Sequence, residues 1–130
     1  MNVNSRIFRT HEGSFDLTAS VTKVGQDAVV VIFGGEGPHI GAVALADPRQ
    51  SLRDPEKTSA TASVLCLTGH KEDVIVKSAS ERLAAAANRP VVVVAGMHWD
   101  NLRESDHEQI FRNVEILLGM IEPYLRTSHG

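Results

Sequence analysis

The sequence holds a single cysteine, Cys66, so no disulfide framework can form within one chain. Set among Val64, Leu65 and Leu67, that thiol reads as a small buried hydrophobe rather than a reactive group. An excess of basic charge is also missing: the formal net charge is -3, with no concentrated basic stripe, which excludes a phosphate-backbone partner and with it nucleic acid. Long apolar runs are absent. Ala28 to Phe33 and Pro90 to Ala95 fall far short of the ~20 residues a membrane helix needs, so no membrane span is expected. Residues 1–15 carry Arg6, Arg9 and Glu12 and no apolar core of signal-peptide length, which points to the cytoplasm. Several motifs are missing as well, namely the G-x-x-x-x-G-K-[ST] phosphate loop, the dinucleotide fingerprint, H-E-x-x-H and the G-x-S-x-G elbow.

What is present suits one globular domain. A chain of 130 residues with 42% hydrophobic and 22% charged residues has the size and composition of a single core. Residues 14–125 form the expected core, residues 1–13 an N-terminal extension, and residues 47–59 a surface loop long enough to act as a lid. Phe15, Leu17, Ala19 and Val21 alternate with Asp16, Thr18, Ser20 and Thr22, the period of a half-buried strand. Gly25-Gln26-Asp27 turns this strand into Ala28 to Phe33, a β-branched run suited to a strand covered on both faces. His39 to Ala46 is the third strand of an expected antiparallel meander. Ala60 to Thr68 is the fourth, and Pro90 to His98, again suited to two covered faces, is the fifth. A helix begins near Lys71 or Glu72, repeats Val76, Ala79, Leu83, Ala86 and Ala87 at helical spacing, and stops at Asn88 before Pro90. Ser105 with Glu108 reads as a capping box for a last helix whose apolar stripe includes Ile110, Phe111, Val114, Leu117, Leu118, Ile121 and Leu125. The fold class is α+β: a mixed, mostly antiparallel sheet of about five strands flanked by two helices.

The chemistry gathers where strands end. Gly34-Gly35-Glu36-Gly37-Pro38-His39-Ile40-Gly41 is either a glycine-rich hairpin turn or a backbone wall that a ligand approaches closely, with His39 and Gly41 facing it. Gly69-His70-Lys71-Glu72-Asp73 leads a strand into a helix, where free N–H groups and the helix dipole can hold an anion such as phosphate; the alternative is an ordinary first turn. Gly96-Met97-His98-Trp99-Asp100 offers an indole as a stacking surface for a flat heterocycle, or else a tryptophan that packs across a helix entrance. The fourth and fifth strands, if parallel neighbours, would bring the last two of these segments together. No residue is assigned a catalytic role. Histidines with nearby carboxylates also permit a metal, and an enzyme using them, a small metal-dependent lyase or hydrolase, is one alternative function. A structural accessory subunit docked through the last helix is another.

Pro38-His39-Ile40-Gly41-Ala42-Val43-Ala44, Ser59-Ala60-Thr61-Ala62-Ser63-Val64, Gly69-His70-Lys71-Glu72-Asp73 and Gly96-Met97-His98-Trp99-Asp100 resemble, in this order, the LpdD-type prenylated-flavin chaperones encoded beside UbiD-type decarboxylases. The resemblance implies a homodimer with a fold like that of the proteasome-assembly chaperones. It implies a carrier of prenylated FMN (or FMN), the prenylated form made by a UbiX-type flavin prenyltransferase, for an apo UbiD-type decarboxylase. The cofactor-binding residues expected on this basis are His39, Gly41, Ser63, Gly69, His70, Lys71, His98 and Trp99. A divalent metal or potassium ion would accompany the phosphate through His39, His70 and Asp100.

Overall fold

The architecture is that of a computed structural model, which describes residues 4–67 and 72–127. The elements run β1 (Asn4–Arg9), β2 (Leu17–Val24), β3 (Asp27–Gly35), β4 (Ala42–Gln50), β5 (Thr58–Cys66), α1 (Asp73–Ala87), β6 (Val91–His98) and α2 (Glu104–Arg126). The strands form one sheet in the order β1-β2-β3-β6-β4-β5, with β3 parallel to β6 and every other pair antiparallel. The α+β class and the two helices are as the sequence leads one to expect, with six strands rather than five. The sixth comes from the supposed N-terminal extension, where Phe8 pairs with Ala19 and turns its ring into the core.

Strand period sets one face of the sheet entirely against the helices. Leu17, Ala19 and Val21 of β2, Val30 and Ile32 of β3, Ala42, Ala44 and Ala46 of β4 and Val91, Val93 and Ala95 of β6 are all buried on that side. The alanine row lets α1 lie close over β4, β5 and β6, burying Val76, Ala79, Leu83 and Ala84. Helix α2 covers β1 and β2 with Val114, Leu117, Leu118, Ile121 and Leu125. At roughly 1.5–3 kcal/mol for each fully buried large side chain, this stripe is a principal source of stability. The helices are tied by Arg82 of α1, which donates to Glu115 and Glu122 of α2. Asn88, left-handed at φ 52°, ends α1. The start of α2 differs from the expected Ser105 box: Asp106 accepts from the Arg103 backbone N–H at 2.8 Å, and Ser105 sits inside the first turn.

Four further expectations change. The meander is broken, because β6 lies between β3 and β4, and β5 and β6 are therefore not neighbours. The loop expected at 47–59 shrinks to 51–57, since Pro48 pairs with Ala60 and Gln50 with Thr58. It is a tight turn, closed by Ser51 N–H to the Lys57 carbonyl at 2.8 Å. The loop stands at the far end of β4, about 27 Å from where that strand begins at ~3.3 Å per residue, so it is no lid over the strand-end residues. Cys66 is exposed, because it ends an edge strand beyond the cover of α1. Finally, the runs expected to be covered twice are covered once. Val29, Val31 and Phe33 of β3 and Val92 and Val94 of β6 are partly exposed on the face opposite the helices, with Val43 and Leu45 beside them.

Candidate functional site

The glycine-rich segment is neither a hairpin turn nor a free wall. Because β6 is inserted between β3 and β4, residues 36–41 must cross over its carboxyl end. Glu36 and Gly37 N–H groups donate to the His98 carbonyl at 2.7 and 3.4 Å, and Gly41 N–H donates to the Ala95 carbonyl at 2.9 Å. The crossing is so close that a β-carbon at Gly96 would overlap the His39 carbonyl, which is why β6 carries a glycine at this point.

This crossing fixes His39. Its Nδ1 lies 2.9 Å from the Gly37 carbonyl, which can only accept, so Nδ1 carries a proton. Its Nε2 then faces Oε1 of Glu72 at 3.1 Å. Glu72 stands just before α1, and its side chain is only 9% exposed. The carboxylate fits because residue 41 has no side chain: a β-carbon at Gly41 would overlap it. The Met97 backbone N–H adds a long contact of 3.4 Å to Oε1. In the sequence Glu72 belongs only to the segment that leads into a helix, and nothing singles it out. Its burial follows from the glycine 31 residues earlier, a pairing that no local pattern contains.

Around this pair opens a cleft of about 330 Å³, at the small end of the ~300–1,000 Å³ range of ligand sites. Ile75, Met97, Trp99, Leu102, Ile110 and Phe111 form its apolar walls, and His39, Glu72, His98 and His107 bring the polar groups. Phe111, expected in the core stripe of α2, is 47% exposed and faces the cleft instead. Trp99 packs over Gly34 and Gly35 and meets Phe15 edge to face, while also lining the cleft. His98 is directed to Asp100, with Nε2 to Oδ1 at 2.9 Å, and the Asp100 N–H donates to Glu36 at 2.9 Å.

The structure thus brings His39, His98 and Trp99 to one cleft, with Gly41 behind Glu72. Ser63 does not join them. It pairs with Leu45 on an edge strand and is exposed on the face away from the helices. Gly69, His70 and Lys71, the expected anion site, lie outside the described residues. The expected metal set also finds no support: among the described residues no three histidine, cysteine, aspartate or glutamate side chains are grouped to hold an ion. His39 is engaged with Glu72 and Asp100 with His98. No helix among the described residues is long and apolar enough to cross a membrane.

Comparison with known proteins adds the family. No curated protein matches the chain. Among solved structures, one titled a novel chaperone complex for yeast 20S proteasome assembly is similar at a TM-score of 0.57 and 15% identity. The match covers 96% of this chain and 99% of the other, which establishes a shared fold. The family profile of the prenylated flavin chaperone LpdD-like domain matches residues 11–126, nearly the whole described chain. A strand-end cleft with aromatic walls on a proteasome-chaperone fold therefore sits in a chain that belongs to the LpdD-like prenylated flavin chaperone family.

Proposed function

We propose that the protein is a carrier, not an enzyme: it binds prenylated FMN in the cytoplasm and hands it to an apo UbiD-type decarboxylase, after a UbiX-type prenyltransferase has made it. The observation that carries this reading is the cleft itself. Trp99 and Phe111 give a fused ring apolar surface to lie against, and Glu72 and His39 give its polar edge hydrogen-bond partners. The residues present fit a flavin ring. The cofactor supplies all of the redox and addition chemistry that its final enzyme needs, and a carrier has only to bind and release it. Anaerobic calorimetry with reduced prenylated FMN tests this: saturable binding is expected, and no binding overturns it.

We propose further that two copies associate through the open face of the sheet. Val29, Val31, Phe33, Val43, Val92 and Val94 make a contiguous β-branched and aromatic surface, with Leu45 52% exposed at its edge. A water-facing sheet normally alternates to polar residues, as β2 does with Thr18, Ser20 and Thr22. An apolar centre rimmed by Thr18, Ser20, Thr61 and Ser63 has the pattern of a self-complementary interface.

A further inference from the structure

Strand β5 closes the sheet on one side, and among the described residues no strand pairs with its outer edge. Its register with β4 runs unbroken from Ala42↔Cys66 to Gln50↔Thr58, so no bulge bends the edge away, and the strand contains neither proline nor a charged residue. Proteins usually block an exposed edge with those very features, because its backbone groups are a template for a further strand. The opposite edge, β1, carries Arg6 and Arg9. We infer that the β5 edge is a docking site for an extended segment of another protein, added antiparallel and bearing a basic side chain beside Asp73. The docking groove shares no residue with the cleft, so this does not depend on what the cleft holds.

Three observations carry the inference. The first is the direction of the backbone groups. Leu67 N–H donates to the Gly41 carbonyl and Ser51 N–H to the Lys57 carbonyl, both at 2.8 Å, at the two ends of the β4–β5 ladder. Both bonds engage odd-numbered residues, and antiparallel pairing alternates, so Ala60, Ala62 and Val64 turn their backbone groups away from β4. Ala60 is covered, at 3% exposure, whereas Ala62 and Val64 are only half-buried. The second is a groove of about 560 Å³ beside this stretch, between Val64 and the flank of α1 formed by Asp73, Val74, Lys77, Ser78 and Glu81. Residues opposite each other in an antiparallel pair share a face, so the side chains opposite Ala62 and Val64 enter this groove. Val64 and the exposed Val74 suit apolar ones there. The third is charge. Lys77 is held by Glu81 at 2.6 Å, which leaves Asp73 as the excess charge of the flank. A second copy would bring the same excess against it, whereas a basic segment answers it.

Calorimetry and amide hydrogen exchange of the full chain with the peptide acetyl-Arg-Thr-Val-Thr-Val-Thr-Val-amide test this. In antiparallel pairing its valines fall opposite Ala60, Ala62 and Val64 and its arginine lies at the Asp73 end of the groove. Saturable binding with slowed exchange at Ala62 and Val64 is expected, and no binding at millimolar peptide overturns the inference. Ala62→Pro removes an outward N–H without breaking a bond to β4 and should abolish binding. Asp73→Asn should weaken it by about two- to fivefold, the worth of an exposed charge pair. Binding that neither change touches overturns the inference. Should Ala62→Pro fold poorly, N-methylated peptides on wild-type protein give the same decision. Methylating the valine N–H groups, which face β5, should abolish binding, and methylating the threonine N–H groups should not; equal effects overturn the inference. Self-association of the wild-type chain that Ala62→Pro abolishes would put a second copy at this edge and overturn the assignment of a partner's segment.

Discussion

The Phe15 ring meets the Trp99 indole edge to face, with centroids 5.3 Å apart and planes at 83°. Phe15 reaches this position from a left-handed backbone at φ 55°, an uncommon conformation for an aromatic residue. Asn113 of α2, wholly buried, holds it there by donating through Nδ2 to the carbonyls of Ser14 and Phe15 at 2.9 and 2.7 Å. One cleft wall is thus positioned from the middle of a helix through a turn that precedes β2. Asn113→Ala leaves two carbonyls with no donor and should cost about 1–3 kcal/mol in urea unfolding. Phe15→Leu, which keeps the apolar volume but not the ring contact, should cost less, about 0.5–1.5 kcal/mol, while blue-shifting or quenching Trp99 fluorescence. An Asn113→Ala variant of wild-type stability would show that the turn holds itself.

Gly41 and Glu72 supply a second prediction, in the form of a cycle. Gly41→Ala should destabilise the fold by about 1–3 kcal/mol, because its methyl group takes the space of the carboxylate. The conformation of residue 41 is not left-handed, so the cost is one of space and not of backbone strain. Glu72→Ala removes the obstructing group. In that background Gly41→Ala should be nearly neutral, giving a coupling of about 1 kcal/mol or more by thermal or urea unfolding. Additive effects would separate the two residues.

What the sequence made legible follows from the range of the interactions. The alternation of Leu17, Ala19 and Val21, the stop at Asn88 and the stripe from Val114 to Leu125 are local patterns, and the structure realises each of them. The insertion of β6 between β3 and β4 pairs residues 45 to 63 positions apart, and no period encodes it. The site depends on that insertion, since it makes residues 36–41 cross β6 and sets His39 against Glu72. The residue types at strand ends therefore pointed to segments whose His39, His98 and Trp99 the fold brings to one cleft. Glu72, whose burial depends on a distant glycine, stayed hidden. The misplacing of Ser63 has a similar origin: its strand was expected beside β6, whereas β4 lies between them.

Asp16 predicts a pH dependence. Its carboxylate accepts from the Thr10 hydroxyl at 2.6 Å and from the Glu12 and Gly13 backbone N–H groups at 2.8 and 2.9 Å. The Thr10 hydrogen bond first, and then the Glu12 N–H, hold its pKa below the ordinary aspartate value. A group with a lowered folded pKa stabilises the fold above its unfolded pKa and loses that contribution as pH falls through the folded value. Asp16→Asn should therefore lower Tm at pH 7, and the difference should shrink as pH drops below about 4. Thermal scans from pH 7 to pH 2.5 measure it; a difference that does not change with pH would place the effect in packing and not in charge.

The open face of the sheet gives the last prediction. If two copies associate there, a charge at the centre of the face must be carried into an apolar interface or force the copies apart. Val31 lies between Ser20 of β2 and Val94 of β6 on that face, with no helix over it. Val31→Lys should convert a dimer to a monomer in sedimentation equilibrium, because an unpaired buried ammonium costs several kcal/mol. Thr22→Lys, also on this face but nearer its polar rim, should shift the equilibrium far less. Neither change touches the helix-side core, so circular dichroism should remain that of the folded chain. The cleft lies on the helix side, so the Val31→Lys monomer should still bind the ring ligand. A wild-type protein that sediments as a monomer at tens of micromolar, or a Val31→Lys variant that stays dimeric, would assign this apolar face to a different partner.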